Sequence, residues 1–185
     1  MAQPTALCDF EIQLSQVDLD RQASLRLKTA RHPSETHERV WLRVLAYCLL
    51  YDERLSFGPG LADPDAPDLL TTDLTGQVVH WIRVGKADTH KIQRAADRHP
   101  KVSVLFESPA RLTTFIAEAH DEKLRRLDAV ELAAVEPALL SSLAQGEERR
   151  AKASITIVGD HFYIDKDGNN FEAPITRGRV ESTSP

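Results

Sequence analysis

Glu35 and Glu38 stand three residues apart in the stretch ARHPSETHER, flanked by Arg31 and Arg39. On a helix, that spacing places both carboxylates on one face. Glu38 then heads a stripe continued by Leu42, Leu45 and Leu49. A carboxylate at the mouth of an apolar core loses water and needs a cation or hydrogen-bond donors. Arg31 or Arg39 can meet that need as a structural ion pair; a metal or phosphate site is the alternative.

A second group of acids, Asp63, Asp65, Asp68 and Asp73, lies in a loop that leads into QVVHWIRVG. Such loops are ordinarily just solvated. Asp68 and Asp73, however, sit immediately before a strand, where a carboxylate can serve Mg²⁺, which takes one or two carboxylates and keeps several waters. Lys91 is expected in the first turn of the following helix, where its charge opposes the helix dipole. That points either to an anionic partner or to a solvated lysine.

Other candidates carry less chemistry. The seven histidines show no metal-ligand spacing, and His80 alternates with Ile82 as a core histidine would. The run DKDGNN has neither the glycine position nor the closing glutamate of a calcium loop, and reads as a tight turn. Cys8 and Cys48 are read as separate reduced thiols. No GxSxG, P-loop or GxGxxG motif occurs.

The elements that must position these residues follow from periodicity. In CDFEIQLSQV, Phe10, Ile12 and Leu14 alternate with polar residues, and Leu25 and Leu27 repeat the pattern, so a β-hairpin opens the chain. Ser34 is the expected N-cap of a helix with Glu35 in its first turn. Residues 40–51 carry one charge, Arg43, and predict a helix buried nearly all round. A short strand at 55–58, a loop at 59–68 and a strong strand at 77–84 follow. The last puts Val79, Trp81 and Arg83 on one face. Asp88 or Thr89 caps the next helix, Lys101 begins a strand, and Pro109 opens a helix. A strand at 127–132, a helix from 137 to about 149 and a hairpin turning at Gly159-Asp160 complete the order. The fold class is α/β: a mixed central sheet flanked by helices, with added antiparallel hairpins. The expectation is one domain over 1–185, with a frayed tail from about 174.

Composition sets outer bounds. The 185 residues suit one sizeable core. The net charge of −5 lacks the basic excess of a non-specific DNA binder, so any nucleic-acid role requires a local basic patch or a bound cation. With no basic-then-apolar leader and no long apolar run, a cytoplasmic protein without membrane contact is expected.

ARHPSETHER, then LLYDERLSFGPGL, then DLTGQVVHWIRVG and a helix with Lys91, together resemble the YaeQ family of bacterial proteins, in order over about residues 9–172. The resemblance implies a core similar to the PD-(D/E)XK nucleases: helix, β-meander, helix and further strand framing a Mg²⁺ site. It implies a Mg²⁺-dependent phosphodiesterase acting on nucleic acid, with Glu38 (Glu35 beside it as alternate) and Asp73 holding the metal. Asp68, in the literal Pro67-Asp68, rivals Asp73. Lys91 would replace the strand lysine, whose position holds Gly85, and would join Glu38 and Asp73 in catalysis. Arg83 stands where an acid is implied. The alternative is a non-catalytic module on a degenerate nuclease core, binding an anion, nucleic acid or protein. There Arg31, Arg39 and Arg83 would hold an anion directly, since guanidinium matches phosphate.

Overall fold

The computed structural model describes residues 5–59, 63 and 65–181; part of the 59–68 loop and the last four residues of the expected tail lie outside them. The strands are β1 (Ala6–Gln16), β2 (Arg21–Arg31), β3 (Leu55–Phe57), β4 (Leu69–Thr72), β5 (Val78–Val84), β6 (Lys101–Phe106), β7 (Glu131–Ala134), β8 (Arg150–Val158), β9 (His161–Lys166), β10 (Asn169–Pro174) and β11 (Thr176–Gly178). The helices are α1 (His37–Leu49), α2 (Thr89–Arg98), α3 (Pro109–Asp121) and α4 (Pro137–Ala144).

These strands form two sheets rather than the single mixed sheet expected. One runs β10-β9-β8-β1-β2 and the other β11-β7-β6-β5-β4-β3. The reason is that β1 pairs parallel with β8, so the opening hairpin joins the closing one and not the central strands. Both sheets are mixed: β5, β6 and β7 run parallel, while β3, β4 and β5 form an antiparallel meander.

Alternation along the strands decides what each face meets. Phe10, Ile12 and Leu14 of β1, with Ile155 and Phe162, share one core with Ile82, Val84 and Leu105 of the second sheet. Helix α1 lies between the sheets, and α4 packs against it. Every residue of α1 from Val40 to Ala46 is buried, Arg43 included, as its all-round apolar sequence requires. On the other face of the second sheet, Trp81, Val102, Val104 and Phe106 meet α2 and α3 in a separate core. The layers are thus sheet, α1 with α4, sheet, α2 with α3.

Several boundaries move. Ser34 does not cap α1: it pairs with the His32 ring within a local turn, and Thr36 caps instead, accepting from the Arg39 amide at 3.2 Å. Glu35 therefore precedes the helix and does not share a helical face with Glu38. The strand expected at 127–132 begins later, because Leu127–Ala129 forms a 3-10 turn. Helix α4 ends at Ala144, before Gly146 with its positive φ. Of the tail expected to fray from about 174, the described part is ordered through about residue 180: β11 pairs with β7, and Ile175 and Val180 are buried. Asp88 caps α2 and Ser108 caps α3, each accepting from the amide three residues on. Among the described residues, no helix is long and apolar enough to cross a membrane.

A polar row crosses the second sheet from the buried His80 and Ser103 to the exposed Glu131. His80 Nε2 lies 2.8 Å from Ser103 Oγ, which also reaches Glu131 Oε2 at 2.9 Å. Burial, reinforced by Lys101, pulls the His80 pKa down to about 4. The unfolded chain therefore takes up a proton near pH 6.5 that the folded chain refuses until about pH 4. Stability from this residue is whole above pH 6.5 and falls as the pH drops through that window. Thermal melting should fall less steeply between pH 7 and pH 4.5 in His80→Asn than in the parent chain; equal slopes would remove His80 from the acid response.

Candidate functional site

Where the sequence turns from β2 into α1, Glu35 points inward. Its side chain is only 2% exposed, and both oxygens are taken. Oε1 accepts from Arg39 Nη1 at 2.7 Å, and Oε2 accepts from Arg43 Nη2 at 2.8 Å. Arg43 is itself buried and donates further to Thr29 Oγ1 at 2.6 Å and the Ala30 carbonyl at 2.9 Å. Arg31 closes the turn by donating to the Glu35 carbonyl at 2.8 Å.

Arg39 carries the cluster to the second sheet. Its Nη2 donates to Asp68 Oδ1 at 2.6 Å. Asp68 enters β4, and its Oδ2 accepts from the Val84 amide at 2.8 Å, with Arg83 Nη1 at 3.5 Å. One guanidinium thus joins two buried carboxylates, and one of those carboxylates caps the end of β5. Burial works against the charge on Arg39, but Asp68 and Glu35 outweigh it and raise the pKa; on Arg43 burial wins over Glu35 and lowers it.

Glu107, just after β6, reaches the same end of the sheet. Its Oε1 lies 3.5 Å from Arg111 Nε, while its Oε2 is buried without a hydrogen-bond partner among the described residues. A Cβ on Gly85 would lie 3.8 Å from Glu107 Oε2 and 3.9 Å from Arg39 Nε, and Gly85 has φ of +78°. Those are ordinary contacts, so it is the left-handed backbone, and not lack of space, that calls for glycine here.

The structure does not bring Glu38, Asp73 and Lys91 together. Glu38 is half-buried in the first turn of α1, and among the described residues it makes no hydrogen bond or ion pair. Asp73 lies at the far end of β4 from Asp68, about 16 Å along an extended strand. There its Oδ1 ties a turn, accepting from the Thr75 hydroxyl and amide and the Gln77 amide; the Thr75 hydroxyl above all holds its pKa below the usual carboxylate range. Lys91 sits on α2, across the sheet from α1, and pairs with Asp65 at 3.0 Å.

This donor set suits guanidinium rather than Mg²⁺. All four oxygens of Glu35 and Asp68 already accept from N–H donors, and three arginines crowd them. A divalent ion would have to displace Arg39 and would meet the charge of the others. Among the described residues, no three His, Cys, Asp or Glu side chains are grouped to hold a metal.

On the α2 side, a pocket of about 250 Å³ opens over β5. Lys91, Arg94 and Arg98 line it from α2, Trp81 and Arg83 from β5, and Asp65 from the loop. The Arg83 guanidinium lies 5.1 Å from the Trp81 ring centre, so the face predicted to carry both does so. Residues 91, 94 and 98 are three and four apart and share a helix face. Among the described residues, Arg94 and Arg98 make no hydrogen bond or ion pair within the chain. Sequence reasoning singled out Lys91 and missed Arg94 and Arg98, although the spacing was there to read.

Comparison with known proteins agrees with this architecture. The family model "YaeQ protein" matches residues 1–175, and the chain belongs to the YaeQ family. It is 30% identical over 170 residues to the uncharacterized protein YaeQ of Escherichia coli (strain K12), covering 90% of this chain and 93% of that one. The uncharacterized protein YaeQ of Salmonella typhi is 29% identical over 177 residues, covering 95% and 97%. The crystal structure of YaeQ protein from Pseudomonas syringae superposes with a TM-score of 0.88 at 32% identity, covering 98% of this chain and 99% of that one. That from Xanthomonas axonopodis pv. citri gives 0.87 at 25%, covering 96% and 100%.

The two glutamates of the first constellation should separate in a stability measurement. Glu35→Gln leaves the buried Arg43 and the partly exposed Arg39 guanidinium facing a neutral amide and should cost about 3–5 kcal/mol, the range for breaking a buried pair. Glu38→Gln should cost less than about 1 kcal/mol, through the helix dipole alone. Urea denaturation of both variants checks this; equal losses would mean that Glu35 is not the buried partner.

Proposed function

We propose that this chain is a non-catalytic binding module for phosphate-bearing anions, built on a nuclease-like core whose carboxylates hold arginine instead of metal. The observation that carries the reading is the pocket over β5. A chain of net charge −5 exposes there a stripe of cations, Arg94 and Arg98 with Lys91, on one face of α2. Arginine and lysine beside one another in a concavity favour phosphate, because guanidinium donates in a planar fork and ammonium adds point charge.

The nuclease-like part of the reading is supported by the order α1, meander β3-β4-β5, α2, parallel β6. Its degenerate character is supported by Arg39 lying between Glu35 and Asp68. Phosphodiester cleavage needs a group to activate water and a charge to stabilise the phosphorane. In this reading the buried carboxylates hold the fold instead, and Arg31 and Arg39 of the proposed anion set act within the chain. Arg83 borders the pocket while paired with Asp68.

Two experiments on the intact chain test this. Calorimetric titration with Mn²⁺ should give no saturable heat, and DNA and RNA should survive incubation with the metal. Phosphate and pyrophosphate at constant ionic strength should raise the melting temperature, by an amount equivalent to about 2.7 kcal/mol at a hundredfold excess over Kd. Arg94→Glu with Arg98→Glu should abolish that rise. Metal-dependent cleavage that disappears in Asp68→Ala would overturn the reading in favour of a phosphodiesterase.

A further inference from the structure

The pocket's charge and shape define what kind of phosphate it takes. Counting only Lys91, Arg94 and Arg98 against Asp65, its walls carry an excess of two positive charges. A phosphomonoester carries about −1.5 to −2 at neutral pH, with three terminal oxygens to accept hydrogen bonds, whereas a diester carries one charge and offers two. The three α2 cations span about 10 Å along the helix, and Trp81 floors the pocket. A polymer backbone draws affinity from many phosphates along a basic track. Beyond this pocket it would meet a chain in which acids outnumber lysine and arginine, 28 to 23.

Asp65 adds a second observation. Its carboxylate is 76% exposed, yet it reaches over the pocket to Lys91 at 3.0 Å. An anion seated among Lys91, Arg94 and Arg98 competes with Asp65 for the lysine.

Resting on the anion-binding reading above, we infer that this pocket recognises a compact dianionic phosphomonoester, with Asp65 as the internal competitor for Lys91. The same chemistry occurs at the 5′ end of a nucleic acid and on a free nucleotide or inorganic phosphate. The lining distinguishes monoester from diester and leaves the bearer of the phosphate to experiment.

Calorimetric titration of the full chain with adenosine 5′-monophosphate and with cyclic adenosine monophosphate compares monoester and diester on one nucleoside. The monoester should bind at least tenfold more tightly, about 1.4 kcal/mol, and inorganic phosphate should compete with it. Arg94→Ala and Arg98→Ala, both at exposed positions, should each weaken binding at least tenfold without altering the melting temperature of the free protein. Asp65→Asn should strengthen it. A single-stranded decamer with and without a 5′-phosphate separates the sources: preference for the phosphorylated strand assigns the polymer end, and indifference with retained nucleotide binding assigns the free ligand. Either result supports the monoester pocket. Equal affinity for monoester and diester, sensitive to Arg94→Ala, would overturn the inference while leaving the anion-binding reading intact. If neither nucleotide nor inorganic phosphate binds, both fall.

Discussion

Among the described residues, Arg39 is the one side chain that ties the turn before α1 to the second sheet by charge. It does so between two carboxylates, Glu35 and Asp68, whose side chains are both buried. A buried carboxylate without donors would be too costly to keep charged. Here each carboxylate oxygen has a donor: Arg39 serves one oxygen of each carboxylate, and Arg43 Nη2 serves Glu35 together with the Ala30 carbonyl. The arrangement fixes where the chain leaves β2, where α1 starts and where β4 enters the sheet. Asp68 adds the amide of Val84, so the end of β5 is held by the same carboxylate. Such a network does not add stability over a well-packed apolar alternative. Its effect is to allow one arrangement and penalise others.

That constraint explains the division of roles between the two faces of the second sheet. Toward α1 the carboxylates are saturated, and the space between them is filled by a guanidinium. Toward α2, Arg83 lines the pocket while pairing with Asp68 at 3.5 Å, and Arg94 and Arg98 lie exposed on the helix. The cation-lined pocket and the structural charge pairing therefore sit back to back across β5.

Much of the secondary structure is legible in the sequence, because alternation in β1 and β8, the β-branched and aromatic composition of β5 and the apolar run of α1 all reflect burial. The start of α2 at Asp88 or Thr89, the proline that opens α3 at Pro109 and the hairpin at Gly159 carry local signals that the sequence shows directly. The two-sheet arrangement was not legible, since the parallel pairing of β1 with β8 joins segments over a hundred residues apart and leaves no local mark. For the site, Glu35, Asp68, Arg39 and Arg83 were marked as charges near a core, but their partners were not. The His32–Ser34 contact that moves the cap to Thr36 turns Glu35 inward, and no periodicity foretells it. Asp73 looked like a ligand because it precedes a strand; a turn with Thr75 two residues on satisfies the same position. Glu107 was passed over because a lone glutamate after a strand has no pattern.

A double-mutant cycle between Arg39 and Asp68 measures the link on which this account rests. Arg39→Met, Asp68→Asn and the double variant should be compared by urea denaturation in the absence of metal. The account predicts a favourable coupling of at least about 1.5 kcal/mol, within the range for contacting residues in one network. Additive losses would contradict it, showing that the guanidinium does not hold Asp68 and leaving that carboxylate available to another cation.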